Sequence, residues 1–176
     1  LFGVMRMAVG DAVALFNGRD GEWQADVAEA GKRGGILVCR EQTQSQVMPP
    51  DVWLLFAPIK KARTDFIVEK AVEMGVRRIV PVQTAHTNSE RIRQDRLQAH
   101  AVEAAEQCGG VFVPEVAELT KLDRLLNTWD IARQIAFCDE ALAGETGRLP
   151  DAPGPWAILI GPEGGFSEDE RKRLRG

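Results

Sequence analysis

Along the first 48 residues, apolar positions come in short alternating runs broken by turn dipeptides. The stretch DAVALFNGRDGEWQADVAEAGKRGGILVCRE places Asn17-Gly18, Asp20-Gly21 and Gly34-Gly35 between β-rich runs, the pattern of hairpins. A small all-β module, a barrel or part of one, is predicted for residues 1–48, followed by the linker QSQVMPP. From Asp51 the pattern changes. VWLLFAPI is a continuous apolar run, as expected of a strand covered on both faces. RTDFIVEKAVEMG then puts Ile67, Val68, Ala71, Val72 and Met74 on one helical face, with Gly75 as the stop. RRIVPVQT reads as a strand, with Pro81 tolerable only near an edge or strand end. A long amphipathic helix over RQDRLQAHAVEAAEQCGG, a shorter one over KLDRLLNTW, a strand over QIAFCDE, a loop over GETGRLPDAPGP and a last strand over WAILIG complete the series. Strands and helices alternating at this spacing predict a parallel α/β domain over 49–176.

Composition narrows the classes. With 176 residues the chain can bury a real core, and its net charge of −4 argues against a uniformly basic nucleic-acid coat while permitting a local basic patch. The 3 cysteines, Cys39, Cys108 and Cys138, form no CxxC pair, so neither structural zinc nor a disulfide framework is expected, and a cytoplasmic protein is. No apolar run is long enough for a membrane span.

The last strand runs into GPEGGFSEDE. In open α/β sheets ligands bind beyond the carboxyl ends of the strands, where this loop leaves the sheet. Gly161, Gly164 and Gly165 permit positive φ and close backbone approach, and Pro162 stiffens the turn. The loop is neither a P-loop nor GxGxxG. Ser167 and Glu170 form a capping box, and Glu168 and Asp169 add charge to the first helical turn. With Glu163 beside them a phosphate is repelled, so the residues suit a nucleoside-like ligand without phosphates. They equally suit a plain strand–turn–helix connection with Glu163 in solvent. Lys60, Lys61 and Arg63 cluster at the carboxyl end of the first sheet strand, and Arg91, Arg93 and Arg96 lie at the entry to the long helix. These two clusters favour a nucleic-acid partner. Arg77 and Arg78 fall at the opposite rim and read as solvated. His86 and His100 are the only histidines, and no Ser/His/Asp triad has support.

LIGPEGGFSEDE (Leu159–Glu170) closely resembles the signature of the RsmE family, SPOUT-class methyltransferases that use S-adenosylmethionine to methylate N3 of a uridine in 16S ribosomal RNA. IVEKAVEMGVRRIVPVQT, EAAEQCGG with VPEV, and VMRMAVGDAVALFNGRDGEWQADV are similar to further blocks of that family, the last to its PUA-like RNA-binding barrel. The resemblance implies a trefoil-knot parallel-sheet domain over 49–176 preceded by a PUA-like β-barrel over 1–48. It also implies a homodimer and no metal. Leu159, Ile160, Gly161, Pro162, Glu163, Gly164 and Gly165 are then expected at the cofactor, and Arg6, Arg19, Lys60, Lys61, Arg63 and Arg91 at RNA of the small ribosomal subunit. Glu163 is available by type for the proton of N3, but shaping the loop is its first role, and the proton acceptor is left unassigned. In the family, a leucine-glycine, arginine-rich segment follows the glycine loop, and an arginine is expected near position 110, where Gly110 stands. The sequence is accordingly read as cut at both ends, with the first part of the barrel missing. The alternatives are a non-catalytic RNA-binding protein and a SPOUT methyltransferase acting on transfer RNA.

Overall fold

A computed structural model describes residues 5–31, 33–88, 92–142, 149 and 152–175. The chain divides into two compact units, Leu1–Met48 with Gly109–Phe112, and Pro49–Cys108 with Val113–Gly176.

In the first unit β1 (Ala12–Phe16), β2 (Glu22–Gly31) and β3 (Gly34–Gln44) form an antiparallel sheet in the order β1-β2-β3. An antiparallel sheet is thus the part of the expected barrel that the described residues form. The connection from β1 to β2 is built by Asn17, whose Oδ1 accepts from the backbone N–H groups of Arg19 (2.9 Å) and Asp20 (2.8 Å). Gly34-Gly35, expected at a turn centre, instead opens β3, paired with Gly31 and Ala30. Of the residues between the two strands, Arg33 is in a turn.

The second unit opens with β4 (Val52–Phe56), α1 (Lys61–Glu73), β5 (Arg78–Gln83) and α2 (Gln94–Cys108). It continues with β6 (Glu115–Val116), β7 (Thr120–Lys121), α3 (Leu122–Asn127), β8 (Gln134–Cys138), β9 (Trp156–Ile160) and α4 (Glu168–Arg175). Its sheet runs β6-β5-β4-β9-β8 with every pairing parallel, and β7 also pairs with β5. Leu55, Val80, Val82, Ala157 and Leu159, alternate residues of three neighbouring strands, share one core cluster with Leu122 and Phe166. The intervening Leu54, Phe56 and Ile79 are buried too, so the sheet is covered on both faces as its apolar runs require.

Two expectations are corrected here. Met74 lies beyond the last residue of α1, at the C-cap, and is 82% exposed; the buried face is made by Thr64, Val68, Ala71 and Val72. Pro81 sits inside β5, which is an interior strand. It is tolerated because β6 pairs only with Arg78 and Ile79 and β7 only with Val82 and Gln83, so no neighbouring strand on that side pairs with Pro81. Among the described residues no helix is long and apolar enough to cross a membrane.

Candidate functional site at the strand carboxyl ends

From β4 the chain moves outward to β5 on one side, while β8 and β9 fill the other. The crevice between β4 and β9 is therefore where the direction of winding reverses, the place where open α/β sheets bind ligands. Three segments meet there: the β4–α1 connection, the residues after β5, and the glycine loop after β9.

Each segment is pinned by its own chemistry. Ala57 extends the ladder by donating to the Ile160 carbonyl at 3.0 Å. Thr64, 1% exposed, accepts from the Ile59 N–H (3.1 Å) and donates to the Ile59 carbonyl (3.0 Å), which fixes the approach to α1. After β5, Thr84 and Thr87 close a turn through Thr84 N–H to Thr87 Oγ1 (2.9 Å) and Thr87 N–H to the Thr84 carbonyl (3.2 Å).

The capping box forms as expected, with Ser167 N–H to Glu170 Oε2 at 2.9 Å and Glu170 N–H to Ser167 Oγ at 3.3 Å. Glu170 does more. Its Oε1 accepts from the Ala85 N–H at 2.8 Å and so ties the start of α4 to the segment after β5. His86 adds a second tie, its Nδ1 lying 3.0 Å from the Gly164 carbonyl.

The three glycines have different reasons. Gly161 has no room for a side chain, since a Cβ would lie 2.5 Å from the Phe166 ring. That ring is fully buried and stacks edge-on against Phe137 at 4.8 Å. Gly165 alone of the three has positive φ, +65°, and its N–H closes the turn onto the Pro162 carbonyl at 2.9 Å. Positive φ, which all three glycines permit, is thus used only at Gly165, and Gly164 has room for a Cβ, 3.5 Å from that of His86.

Between the three segments lies a cavity of about 260 Å³, lined by Pro58–Lys61, by His86 and Asn88, and by Pro162–Gly164. Lys60, Lys61, Arg63 and Glu163, singled out from sequence, come together here. Glu163 is not a lone charge: its carboxylate meets the Arg63 guanidinium at 2.5 Å, with both side chains about two-thirds exposed. The pairing offsets the repulsion of phosphate that a bare carboxylate implies. Leu159 is buried in the core, and Ile160 is 44% exposed at the strand end. Arg6 and Arg19 belong to the first unit, where both are exposed and Arg19 pairs with Asp20 at 2.9 Å. Arg91 lies outside the described residues.

Below the loop, Asp139 immediately follows β8 and its side chain is fully buried. It accepts from Arg171 Nε at 2.9 Å and lies 3.3 Å from Arg175 Nη2. The Arg171 hydrogen bond, ahead of burial acting in the opposite sense, holds the Asp139 carboxyl below the usual carboxylate range. At the opposite rim Arg77 and Arg78 are not simply solvated. Arg77 donates to the Pro49 carbonyl, and Arg78 stacks on Trp53 (4.8 Å) and pairs with Glu115 (3.1 Å). Arg133 lies on the same ring at 3.9 Å and grips Asp51, which the arginine holds below its ordinary pKa. The sequence reading named His86 without giving it a role and did not single out Asp139. Their only signal was position, one to three residues past the carboxyl end of a strand.

A parallel α/β unit with a glycine-rich loop and a basic edge at its switch point belongs to the class of nucleotide- and nucleoside-binding α/β domains. Comparison with known proteins specifies the class. Residues 46–176 match the family model of the RNA methyltransferase domain, and residues 1–38 that of the RNA methyltransferase PUA domain. The chain belongs to the RNA methyltransferase domain family. It is 27% identical to ribosomal RNA small subunit methyltransferase E of Rickettsia conorii, over 97% of this chain and 71% of that protein. It is 25% identical to the protein of that name in Bacillus subtilis, over 97% and 73% of the two chains. The crystal structure of a ribosomal RNA small subunit methyltransferase E from Neisseria gonorrhoeae bound to S-adenosyl methionine superposes with a TM-score of 0.86 at 25% identity, covering 99% of this chain and 74% of that one.

Proposed function

We propose that this protein transfers the methyl group of S-adenosylmethionine to N3 of a uridine in 16S ribosomal RNA. The observation that carries the reading is the cavity at the β4/β9 switch point, where the Pro162–Gly164 turn faces the basic Lys60–Lys61 edge. The residues fit such a cofactor. The apolar rings of Pro58 and Pro162 suit a flat base, the exposed peptide groups of the loop suit ribose hydroxyls and an amine, and Glu163 suits a cation. S-adenosylmethionine supplies an electrophilic methyl group on a sulfonium, so the chain itself has to position the acceptor and deal with its proton.

Ile160–Gly165 hold the cofactor in this reading, and Leu159, expected with them, instead packs in the core beneath the strand end. Lys60, Lys61 and Arg63 take RNA phosphates at the mouth of the site, and Arg6, Arg19 and Arg91 take others. A PUA-like barrel grips the RNA, and the α/β unit is knotted and pairs with a second copy of itself. The protein works in the cytoplasm on the small ribosomal subunit. The test is incubation of the protein with S-adenosylmethionine and, in separate reactions, unmodified small subunits or transfer RNA, followed by reverse transcription. A methyl group on N3 blocks the Watson–Crick edge, so a single new stop in 16S RNA is expected, dependent on both protein and cofactor. A stop on transfer RNA instead, or none at all, overturns the reading.

A further inference from the structure

The uracil N3 carries a proton that has to leave as the methyl group arrives, and the side chain that accepts it is the open question in the site. Glu163, suggested by type, is already engaged by Arg63. His86 stands across the same cavity, exposed, three residues beyond β5. Its Nδ1 lies 3.0 Å from the carbonyl oxygen of Gly164. A carbonyl oxygen can only accept, so in this contact Nδ1 carries the hydrogen. In the neutral ring Nε2 is then the unprotonated nitrogen, and it has no hydrogen-bond partner among the described residues. A backbone carbonyl that fixes the tautomer and leaves the other nitrogen basic is the arrangement a histidine base requires.

We infer that His86 is the catalytic base that takes the N3 proton. The inference rests on the functional reading above. In the step, the N3–H pair becomes the bond to the methyl carbon, the sulfonium–methyl bond breaks with its electrons returning to sulfur, and the proton passes to His86 Nε2. The positive charge lost at sulfur reappears on the imidazolium, so charge balances without a further reactant. The charged groups sharing the cavity are Lys60, Lys61 and Glu163, the last paired with Arg63, and Glu170 is bonded to the neighbouring Ala85 amide.

The critical variant is His86→Asn, whose side-chain amide can still donate to the Gly164 carbonyl but cannot accept a proton. At saturating S-adenosylmethionine, which removes any change in cofactor affinity from the readout, it should lose about 10²–10³-fold in single-turnover methylation at neutral pH. Its rising pH limb should move to the alkaline range where N3–H dissociates unaided. RNA carrying 5-fluorouridine, whose N3–H is more acidic, should recover much of the loss. Independently of activity, nitrogen NMR of the neutral His86 ring in the cofactor-free protein should show the Nδ1–H tautomer. A His86→Asn enzyme with the wild-type rate and pH profile, or a resting Nε2–H tautomer, overturns the inference. Failure of the wild-type chain to methylate N3 overturns the functional reading, and the inference with it.

Discussion

Arg63, in the first turn of α1, and Glu163, at the tip of the loop after β9, are paired at 2.5 Å across 100 residues of sequence. Both side chains are about two-thirds exposed, so the pair contributes less than ~1 kcal/mol to stability. Its consequence is where it holds the loop. Glu163→Gln should leave the urea unfolding curve nearly unchanged yet weaken S-adenosylmethionine binding about tenfold, the scale of one charge-assisted hydrogen bond. Titration calorimetry reads this directly. An unchanged affinity removes the carboxylate from the cofactor site.

Gly165 and Gly164 are adjacent, and substitutions there should behave differently. Alanine at 165 must adopt φ near +65° and places its Cβ 2.7 Å from Glu140 Oε1. The Glu140 side chain can swing away, but the backbone strain stays, at about 1–2 kcal/mol. At 164 no positive φ is needed and the nearest atom is 3.5 Å away, so Gly164→Ala should cost less than ~0.5 kcal/mol. Gly164→Val should impair cofactor binding by filling the cavity, not by straining the backbone. Urea denaturation followed by tryptophan fluorescence separates the two positions. Equal losses of stability at 164 and 165 contradict this account.

The sheet and the loop were legible because their signals are local. Continuous apolar runs mark β4 and β9, and the Gly-Pro-Glu-Gly-Gly turn with its Ser167–Glu170 box marks the site. What the residues alone do not reveal is who meets whom across the chain. Arg63 with Glu163, His86 with Gly164 and Ala85 with Glu170 join segments 78 to 100 residues apart. Arg77 and Arg78 read as solvated charges because the ring beneath Arg78, Trp53, lies in another strand. Met74 matched the helical period but fell one residue past the helix, where the period no longer orients a side chain. A glycine in a turn announces itself, but which of three takes positive φ depends on the Gly165–Pro162 hydrogen bond.

Asp139 gives a prediction in acid. Its carboxyl is held below the ordinary range by Arg171 first, so its folded-state pKa lies below the unfolded value of about 3.9. Stability from this group is therefore fully present above the unfolded pKa and lost as pH falls through the folded one. Asp139→Asn should cost about 2 kcal/mol at pH 7. This is below the ~3–5 kcal/mol of a fully buried pair because Arg171 and Arg175 are partly exposed and rehydrate. The difference between wild type and variant should shrink as pH drops below about 4. Urea midpoints measured from pH 7 down to pH 3 test the sign. A difference that grows in acid refutes the assignment.

Lys60 and Lys61 flank the cavity without a carboxylate partner among the described residues, unlike Arg63. If they take RNA phosphates, each contact releases counterions from the RNA, and binding weakens with salt in proportion to the number of contacts. Lys60→Glu with Lys61→Glu should lower affinity for 16S RNA at low salt. It should also flatten the slope of log affinity against log salt by about 1.4 to 1.8 for two lost contacts. Cofactor affinity should change far less, because the glycine loop and its Gly165 turn are untouched. Filter binding across a salt series provides the slope, and titration calorimetry provides the control. A lower RNA affinity with an unaltered slope means that the lysines touch no phosphate, and the basic edge is then only a solvated helix start.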